Sequence, residues 1–284
     1  MILEEDFTLP NGVVVPKLGL GTGRIEDGAV AEVVRAGAEI GYRHFDTAQA
    51  YENEHGVVGE GLRASGVPRD DLFVTTKLVA ESKTYADAKV RIDLMLIYSP
   101  QPWSEFREGG RFDEGNLEAW RALEEAYAAG KLRASGVSNF ERADLENLLD
   151  KGAVKPMVNQ TLAHVGNTPF DLIDFSRSHG LLVEAYSPVA HGASLSNPEL
   201  GAMAARYEAG VAQLCISYCL QLGLLPLPKT LKPDHMRSNA ALDFEISDDD
   251  MAVLKTMQGT DYGAASAFPV FGKSRRVHPA LAGG

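Results

Sequence analysis

The sequence predicts an α/β protein built as a (β/α)8 TIM barrel, opened by an N-terminal β-hairpin and forming a single domain over residues 1–284. Three observations predict it. Short apolar runs alternate with helical patterns along the chain, and eight such runs are present, enough to close a parallel barrel. The runs also end on polar or ionisable residues: Asp46, Lys77, Tyr98, Ser138-Asn139, Gln160, Tyr186 and Lys229-Thr230. A doubly wound open sheet alternates in the same way, but contributions from so many strand ends suit the mouth of a barrel. No low-complexity stretch or Ser/Gly linker marks a domain boundary.

Residues 7–15 place two extended segments around Asn11-Gly12, the strongest short hairpin signal. The first barrel strand is expected at 17–21, running into Gly19-Leu20-Gly21-Thr22-Gly23. The third glycine comes too early for a G-x-G-x-x-G dinucleotide fingerprint, and Glu26-Asp27-Gly28 intervenes before the helix. This is therefore a tight glycine turn where bulky residues would not fit. A helix over 28–40 leads to strand 44–46, which ends on Asp46, and a helix over 54–65 leads to strand 72–77, which ends on Lys77. A short helix over 82–90 precedes strand 93–98 with Tyr98 at its end. Helix 116–129 precedes strand 134–137 and Ser138-Asn139; helix 141–150 precedes strand 157–160 and Gln160; helix 168–179 precedes strand 182–186 and Tyr186. One long helix over 198–222, a last strand at 224–227 and a helix over 234–241 complete the pattern.

Charge and composition exclude several classes. With 27 basic against 39 acidic residues the formal charge is −12, which argues against nucleic acid as a partner. No apolar run reaches about 18 residues, and Met1-Ile2-Leu3-Glu4-Glu5-Asp6 is acidic where a signal peptide would be basic, so a cytoplasmic protein without a membrane partner is expected. Cys215 and Cys219 lie four apart in a helical run and are read as buried free thiols rather than a redox or metal pair. No histidines show metal-ligand spacing and no carboxylate pair stands among the strand ends, so no metal is expected and a hydrolase is disfavoured.

The chemistry concentrates in Gly41-Tyr42-Arg43-His44-Phe45-Asp46-Thr47-Ala48-Gln49-Ala50-Tyr51 and in Leu72-Phe73-Val74-Thr75-Thr76-Lys77. A free tyrosine titrates near about 10. An ammonium beside the hydroxyl favours the phenolate, and a carboxylate behind the lysine keeps that ammonium charged and pointed. Asp46, Lys77 and Tyr51 thus make a proton donor suited to carbonyl reduction. The plainer alternative is a buried ion pair beside a core tyrosine.

These stretches, with Asn53-Glu54, Gly136-Val137-Ser138-Asn139-Phe140, Asn159-Gln160, Ala185-Tyr186-Ser187-Pro188 and Pro228-Lys229-Thr230, resemble the aldo-keto reductase family. The motifs recur in order from about residue 7 to residue 260, nearest in flavour to small bacterial diketogluconate reductases and prostaglandin F synthase-like members. The resemblance implies reduction of an aldehyde or ketone by hydride transfer from NADPH. It implies Tyr51 as proton donor, Lys77 as the group that lowers its pKa, and Asp46 as the holder of Lys77. It also implies that Ser138, Asn139 and Gln160 hold the nicotinamide carboxamide, that Tyr186 stacks on the ring, and that Ser187, Val189 and the segment to Ser196 strap the pyrophosphate. Thr22 joins this cofactor set, and Lys229, Thr230, His235 and Asn239 take the adenosine end. A C-terminal loop from Asp261 would fold over the barrel mouth.

Three departures bear on chemistry. Leu96-Ile97-Tyr98-Ser99-Pro100 has Tyr98 where the family carries a catalytic histidine; its hydroxyl is also a donor, on a longer arm. Pro233-Asp234-His235 has His235 where an arginine usually clamps the 2′-phosphate, so NADH is expected as a second cofactor beside NADPH. The segment between Lys77 and Asp93 is short, leaving apolar surface for a neighbouring loop or subunit; a monomer is expected, with a weak dimer as the alternative. These departures sustain a second function, an NADP(H)-binding barrel with weak or altered catalysis. Thr22 and Ser99 stand where many members place large aromatics, while Trp103, Phe106, Phe268 and Phe271 are candidate walls of a wider pocket for a small carbonyl substrate.

Overall fold

A computed structural model describes residues 1–51, 58–79, 92–259 and 261–272. Its centre is a ring of eight parallel strands: β3 (Gly19–Gly21), β4 (His44–Asp46), β5 (Phe73–Leu78), β6 (Ile92–Ile97), β7 (Leu132–Ser138), β8 (Val158–Leu162), β9 (Leu182–Tyr186) and β10 (Leu225–Leu227). Each pairs with its neighbour in chain order, and the ends of the sheet meet where the Gly21 amide donates to the Pro228 carbonyl at 3.0 Å. The expected barrel is therefore observed. Below it, β1 (Asp6–Thr8) and β2 (Val14–Pro16) form the expected hairpin, with Gly12 in the left-handed region at φ 81°. Asn11 donates to Tyr127 Oη and to the Arg133 carbonyl, and Leu9 and Val15 plug the barrel floor against Phe73 and Leu94.

Strand periodicity sorts the core into two compartments. On β6, Leu94 and Leu96 face inward and meet Ala134, Val158, Leu225 and Leu227, while Met95 and Ile97 face outward against the helices. Helix α1 (Asp27–Ile40) covers Leu20 and Phe45 and packs on α2 (Gly59–Ala64). Helices α3 (Asp113–Ala128) and α4 (Arg142–Lys151) bring Trp120, Leu123, Leu145 and Leu148 onto β6 and β7. Helix α5 (Phe170–Ser178) adds Ile173 beside β9. The inner floor is thus apolar, and the polar residues rise toward the carboxyl ends of the strands.

Glycines of the first barrel strand and of the turn after it are explained by closeness. A Cβ on Gly19 would lie 2.4 Å from Leu227 Cδ2, and one on Gly23 would lie 3.2 Å from the Tyr51 ring. The expected helix over 198–222 is two helices, α6 (Pro198–Arg206) and α7 (Val211–Gln221). Glu208 takes a left-handed φ of 54°, and Gly210 donates to the Gln213 side chain to start the second helix. Helix α8 (Pro233–Ala240) matches expectation, whereas α9 (Asp248–Thr256), capped by Ser247, was not expected. The short helix expected over 82–90 and the Asn53-Glu54 motif lie outside the described residues. Cys215 and Cys219 are free and fully buried in α7, as expected. Among the described residues no helix is long and apolar enough to cross a membrane, and no group of side chains could hold a metal ion.

Candidate active site

A cavity of about 600 Å³ opens at the carboxyl ends of the strands. Beneath its floor Lys77, at the end of β5, donates from Nζ to Asp46 Oδ1 at 2.8 Å, Asp46 Oδ2 at 2.9 Å and the Thr47 carbonyl at 2.8 Å. Lys77 is 1% exposed, so the ammonium is sealed from solvent and satisfied by these three acceptors. A single 3-10 turn, Gln49–Tyr51, carries Tyr51 from the end of β4 back over this pair. Tyr98 follows directly after β6. Lys77 Nζ lies 5.5 Å from the Tyr51 ring centroid and 5.7 Å from that of Tyr98.

Asp46, Tyr51 and Tyr98 line the cavity, with Lys77 buried behind them. From sequence, Lys77 is expected to draw the Tyr51 phenol down. In the folded chain burial dominates and raises it; the Asp46 charge raises it further, and the hydrogen bond from Tyr98 works the other way. The Lys77 charge is already met by Asp46, so the phenol stays loaded with its proton. Tyr98 and Tyr186 are likewise raised by burial.

Asn139, at a left-handed φ of 62°, ties the wall together. Its Nδ2 donates to the Tyr98 carbonyl at 3.0 Å and to Ser138 Oγ at 3.1 Å, and its Oδ1 accepts from Tyr186 Oη at 2.6 Å. Gln160 donates from Nε2 to Asp46 Oδ2 and to Glu184 Oε2, each at 2.8 Å. Of the residues expected to hold cofactor, Asn139, Gln160, Tyr186, Ser187, Val189 and Lys229 line the cavity. Thr22 and Ser138 do not: both are fully buried, Thr22 Oγ1 donates to the Asp46 carbonyl, and Ser138 accepts from Asn139. Thr230, His235 and Asn239 also stand outside it, with Thr230 Oγ1 3.4 Å from His235 Nδ1 and Asn239 buried in α8. Arg237 is engaged by Asp234 at 3.2 Å.

The outer wall holds one residue the sequence did not single out, Arg24. Arg24, just past the glycine turn, lines the cavity with Lys229, and its guanidinium sits 5.7 Å from the Phe268 ring centroid. Burial and then Arg24 lower the Lys229 ammonium. His191, which the sequence places in the strap segment either toward the pyrophosphate or as a solvated loop histidine, lines the cavity with its ring 4.3 Å from that of Phe271. Desolvation, then the charges of Arg24 and Lys229, push it to about 4. A glycine turn ending in arginine was the available signal for Arg24. Trp103, Phe268 and Phe271 form an aromatic rim, whereas Phe106 lies buried behind Trp103 and Ser99 is buried below. The tail is anchored by Tyr262, which His164 and Asn167 meet at 2.9 and 2.8 Å.

The model of the Aldo/keto reductase family matches residues 17–258. The chain is 38% identical over 263 residues to glyoxal reductase of Bacillus subtilis, covering 88% of this chain and 91% of that protein. Among solved structures it resembles an aldo-keto reductase from a deep-sea metagenome, with TM-score 0.81, 30% identity and coverage of 89% and 94% of the two chains. It also resembles a Bombyx mori aldo-keto reductase in complex with NADP, with TM-score 0.79, 29% identity and coverage of 93% and 96%. A family model spanning every barrel strand, over a cavity lined by Asp46 and Tyr51 with Lys77 buried beneath, places the chain in the aldo/keto reductase family as an NAD(P)H-dependent oxidoreductase.

Proposed function

We propose that the protein reduces an aldehyde or ketone to an alcohol with NADPH, and that Tyr51 is the proton donor. The observation that carries this reading is the Lys77–Asp46 pair sealed beneath the Tyr51 and Tyr98 rings on the cavity floor. The donor set suits a nicotinamide nucleotide: an aromatic face from Tyr186, an amide from Gln160, and cationic Arg24 and Lys229 at the outer wall. Gly192, at φ 94° with nothing within 4 Å of an added Cβ, leaves room along the strap. A bound reduced nicotinamide would supply the hydride, with its electron pair, to the carbonyl carbon. The protein's own part is proton delivery. As the carbonyl π bond breaks, Tyr51 gives its Oη proton to the oxygen, and the charge left on Tyr51 is met by the Tyr98 hydroxyl and the Lys77 ammonium.

Lys229 with neighbouring Thr230 supports NADPH over NADH, and the NADP bound in the silkworm relative agrees with that order. His235 beside Thr230 gives a weaker phosphate contact than a guanidinium, which supports NADH as a second cofactor. The Bacillus relative's name points to small carbonyls, and the Trp103, Phe268 and Phe271 rim favours ones with an apolar body. A cytoplasmic monomer is the setting this reading implies.

A second reading, a cofactor-binding barrel with little reductase activity, is favoured by the Tyr98 hydroxyl being given to Tyr51 Oη at 3.4 Å, which leaves that donor engaged away from a substrate oxygen. Tyr51→Phe separates the two. Loss of about 10²-fold or more in kcat with NADPH fluorescence quenching retained is expected; equal aldehyde turnover in parent and variant would remove Tyr51 as donor.

A further inference from the structure

Glu184 stands in β9 and is fully buried, two residues below Tyr186. The register of β8 and β9 sets Gln160 directly beside it. Gln160 Nε2 has two hydrogens, and both are taken: one by Glu184 Oε2 and one by Asp46 Oδ2, each at 2.8 Å. One amide nitrogen therefore bridges two carboxyl groups inside the barrel. The two groups differ in what else they meet. Asp46 is matched by the Lys77 ammonium on both oxygens. Glu184 has no cation in contact among the described residues, and its Oε1 is buried with no hydrogen-bond partner.

We propose that Glu184 is a positioning residue that works as a neutral acid, holding the Gln160 amide in place while keeping the charge beneath Tyr51 at zero, and that its ionisation suppresses proton donation by Tyr51. The inference rests on the reductase reading above. Three observations support it. Unpaired ionised carboxylates are excluded from dry interiors by their desolvation penalty, and here the exposure is nil. The polar groups facing Glu184 are the Gln160 amide from β8, the Asp46 carboxylate from β4 and the Lys77 ammonium from β5; the ammonium is engaged by Asp46, so a second negative charge would have no counter-ion. Burial first, and the Asp46 charge second, push the Glu184 carboxyl up to about 8.

The catalytic consequence follows from the net charge of the cluster. With Glu184 protonated, Asp46 and Lys77 cancel, and the tyrosinate that develops as Tyr51 gives up its proton is the only excess charge. With Glu184 ionised, a negative charge already lies in the same low-dielectric core, and the tyrosinate forms against it. Reduction should fall as Glu184 loses its proton. With both amide hydrogens on the two carboxyl groups, the Gln160 oxygen is left as its polar group for a ligand, so the same contact fixes which end of the amide is presented.

The test uses two independent readouts on the intact protein. In the first, kcat for a saturating aldehyde with saturating NADPH is followed from pH 6 to 9.5, each profile scaled to its own maximum. The parent should lose at least tenfold on an alkaline limb centred near 8, and E184Q, which keeps an acceptor for Gln160 but cannot ionise, should lose less than twofold. Superimposable alkaline limbs in the two proteins would overturn the proposal. The second readout needs no turnover: infrared spectroscopy with ¹³C-labelled glutamate, in which the protonated-carboxyl C=O band of Glu184 should be present at pH 6, vanish as the pH is raised through 8, and be absent from E184Q. Absence of that band from the parent at pH 6 would overturn it too. A parent inactive towards every carbonyl would sink the reductase reading, and the infrared titration alone would then decide the state of Glu184.

Discussion

Tyr98 donates its hydroxyl to the Tyr51 hydroxyl across 3.4 Å, and the two rings meet edge to face at 85° with the Lys77 ammonium against both. The contact is long for an O–H···O bond, so it guides Tyr51 without locking it. Tyr98→Phe keeps the ring that packs on Trp103 and removes only the donor. A net loss of about 0.5–1.5 kcal/mol is expected, read as roughly a 2–10-fold fall in kcat with cofactor affinity unchanged. An identical kcat in the variant would show that this hydroxyl takes no part in proton donation.

The cationic outer wall gives a cofactor prediction. Lys229→Ala should raise the NADPH Kd by roughly 10-fold or more, as expected for a charged hydrogen bond worth about 1.5–3 kcal/mol, and should raise the NADH Kd far less. Arg24→Ala removes a like charge that lowers the Lys229 ammonium, so that lysine should hold its proton to higher pH. Fluorescence titrations of both nucleotides measure this; equal weakening of NADPH and NADH by Lys229→Ala would move the 2′-phosphate elsewhere.

Two glycines separate stability from chemistry. A Cβ on Gly136 of β7 would fall 2.6 Å from the Val158 carbonyl and 2.8 Å from Leu96 Cδ2, so Gly136→Ala should destabilise by about 1–3 kcal/mol through overpacking. Gly23→Ala would press on the Tyr51 ring at 3.2 Å and should lower kcat with a much smaller change in Tm. Thermal melts and steady-state kinetics on the pair check the contrast.

Buried ionisable groups set opposing pH limits on stability. Burial pushes His44 down to about 4, so the stability of its neutral form is complete above about 6.5 and is lost as the pH falls toward 4. Glu184 is raised to about 8, so its contribution is complete below about 4.5 and is lost as the pH rises toward 8. Each tenfold difference in acidity between the folded and unfolded chain is worth about 1.4 kcal/mol, so Tm should peak between about pH 5 and 7 and fall on both sides. E184Q should flatten only the alkaline side. A melting profile that E184Q leaves unaltered above pH 7 would contradict the Glu184 part of this account.

The barrel was legible because polar chemistry falls at or near its strand ends: Asp46, Lys77, Tyr98, Asn139 and Tyr186 do so, and Gln160 lies two residues short of the end of β8. What escaped depends on neighbours in other strands. Glu184 reads as a lone charge in an apolar strand until the β8–β9 register sets Gln160 beside it. The break between α6 and α7 was hidden because apolar spacing continues on both sides of Tyr207 to Gly210, and only the left-handed Glu208 interrupts it. Ser138 and Thr22 sit at the expected strand ends, but their hydroxyls point to internal acceptors and donors, a direction that sequence does not carry.

The seam between Gly21 and Pro228 has a consequence for how the molecule is made. Gly21, Gly23 and Arg24 come from one side of that seam and Leu227 and Lys229 from the other, so the cavity wall exists only once the chain's two ends have met. During synthesis the early strands must wait, with an unpaired edge, for the last one to emerge. Nucleotide capture then reports ring closure itself, and a nascent chain halted before β10 is expected to be open-edged, aggregation-prone and blind to its cofactor.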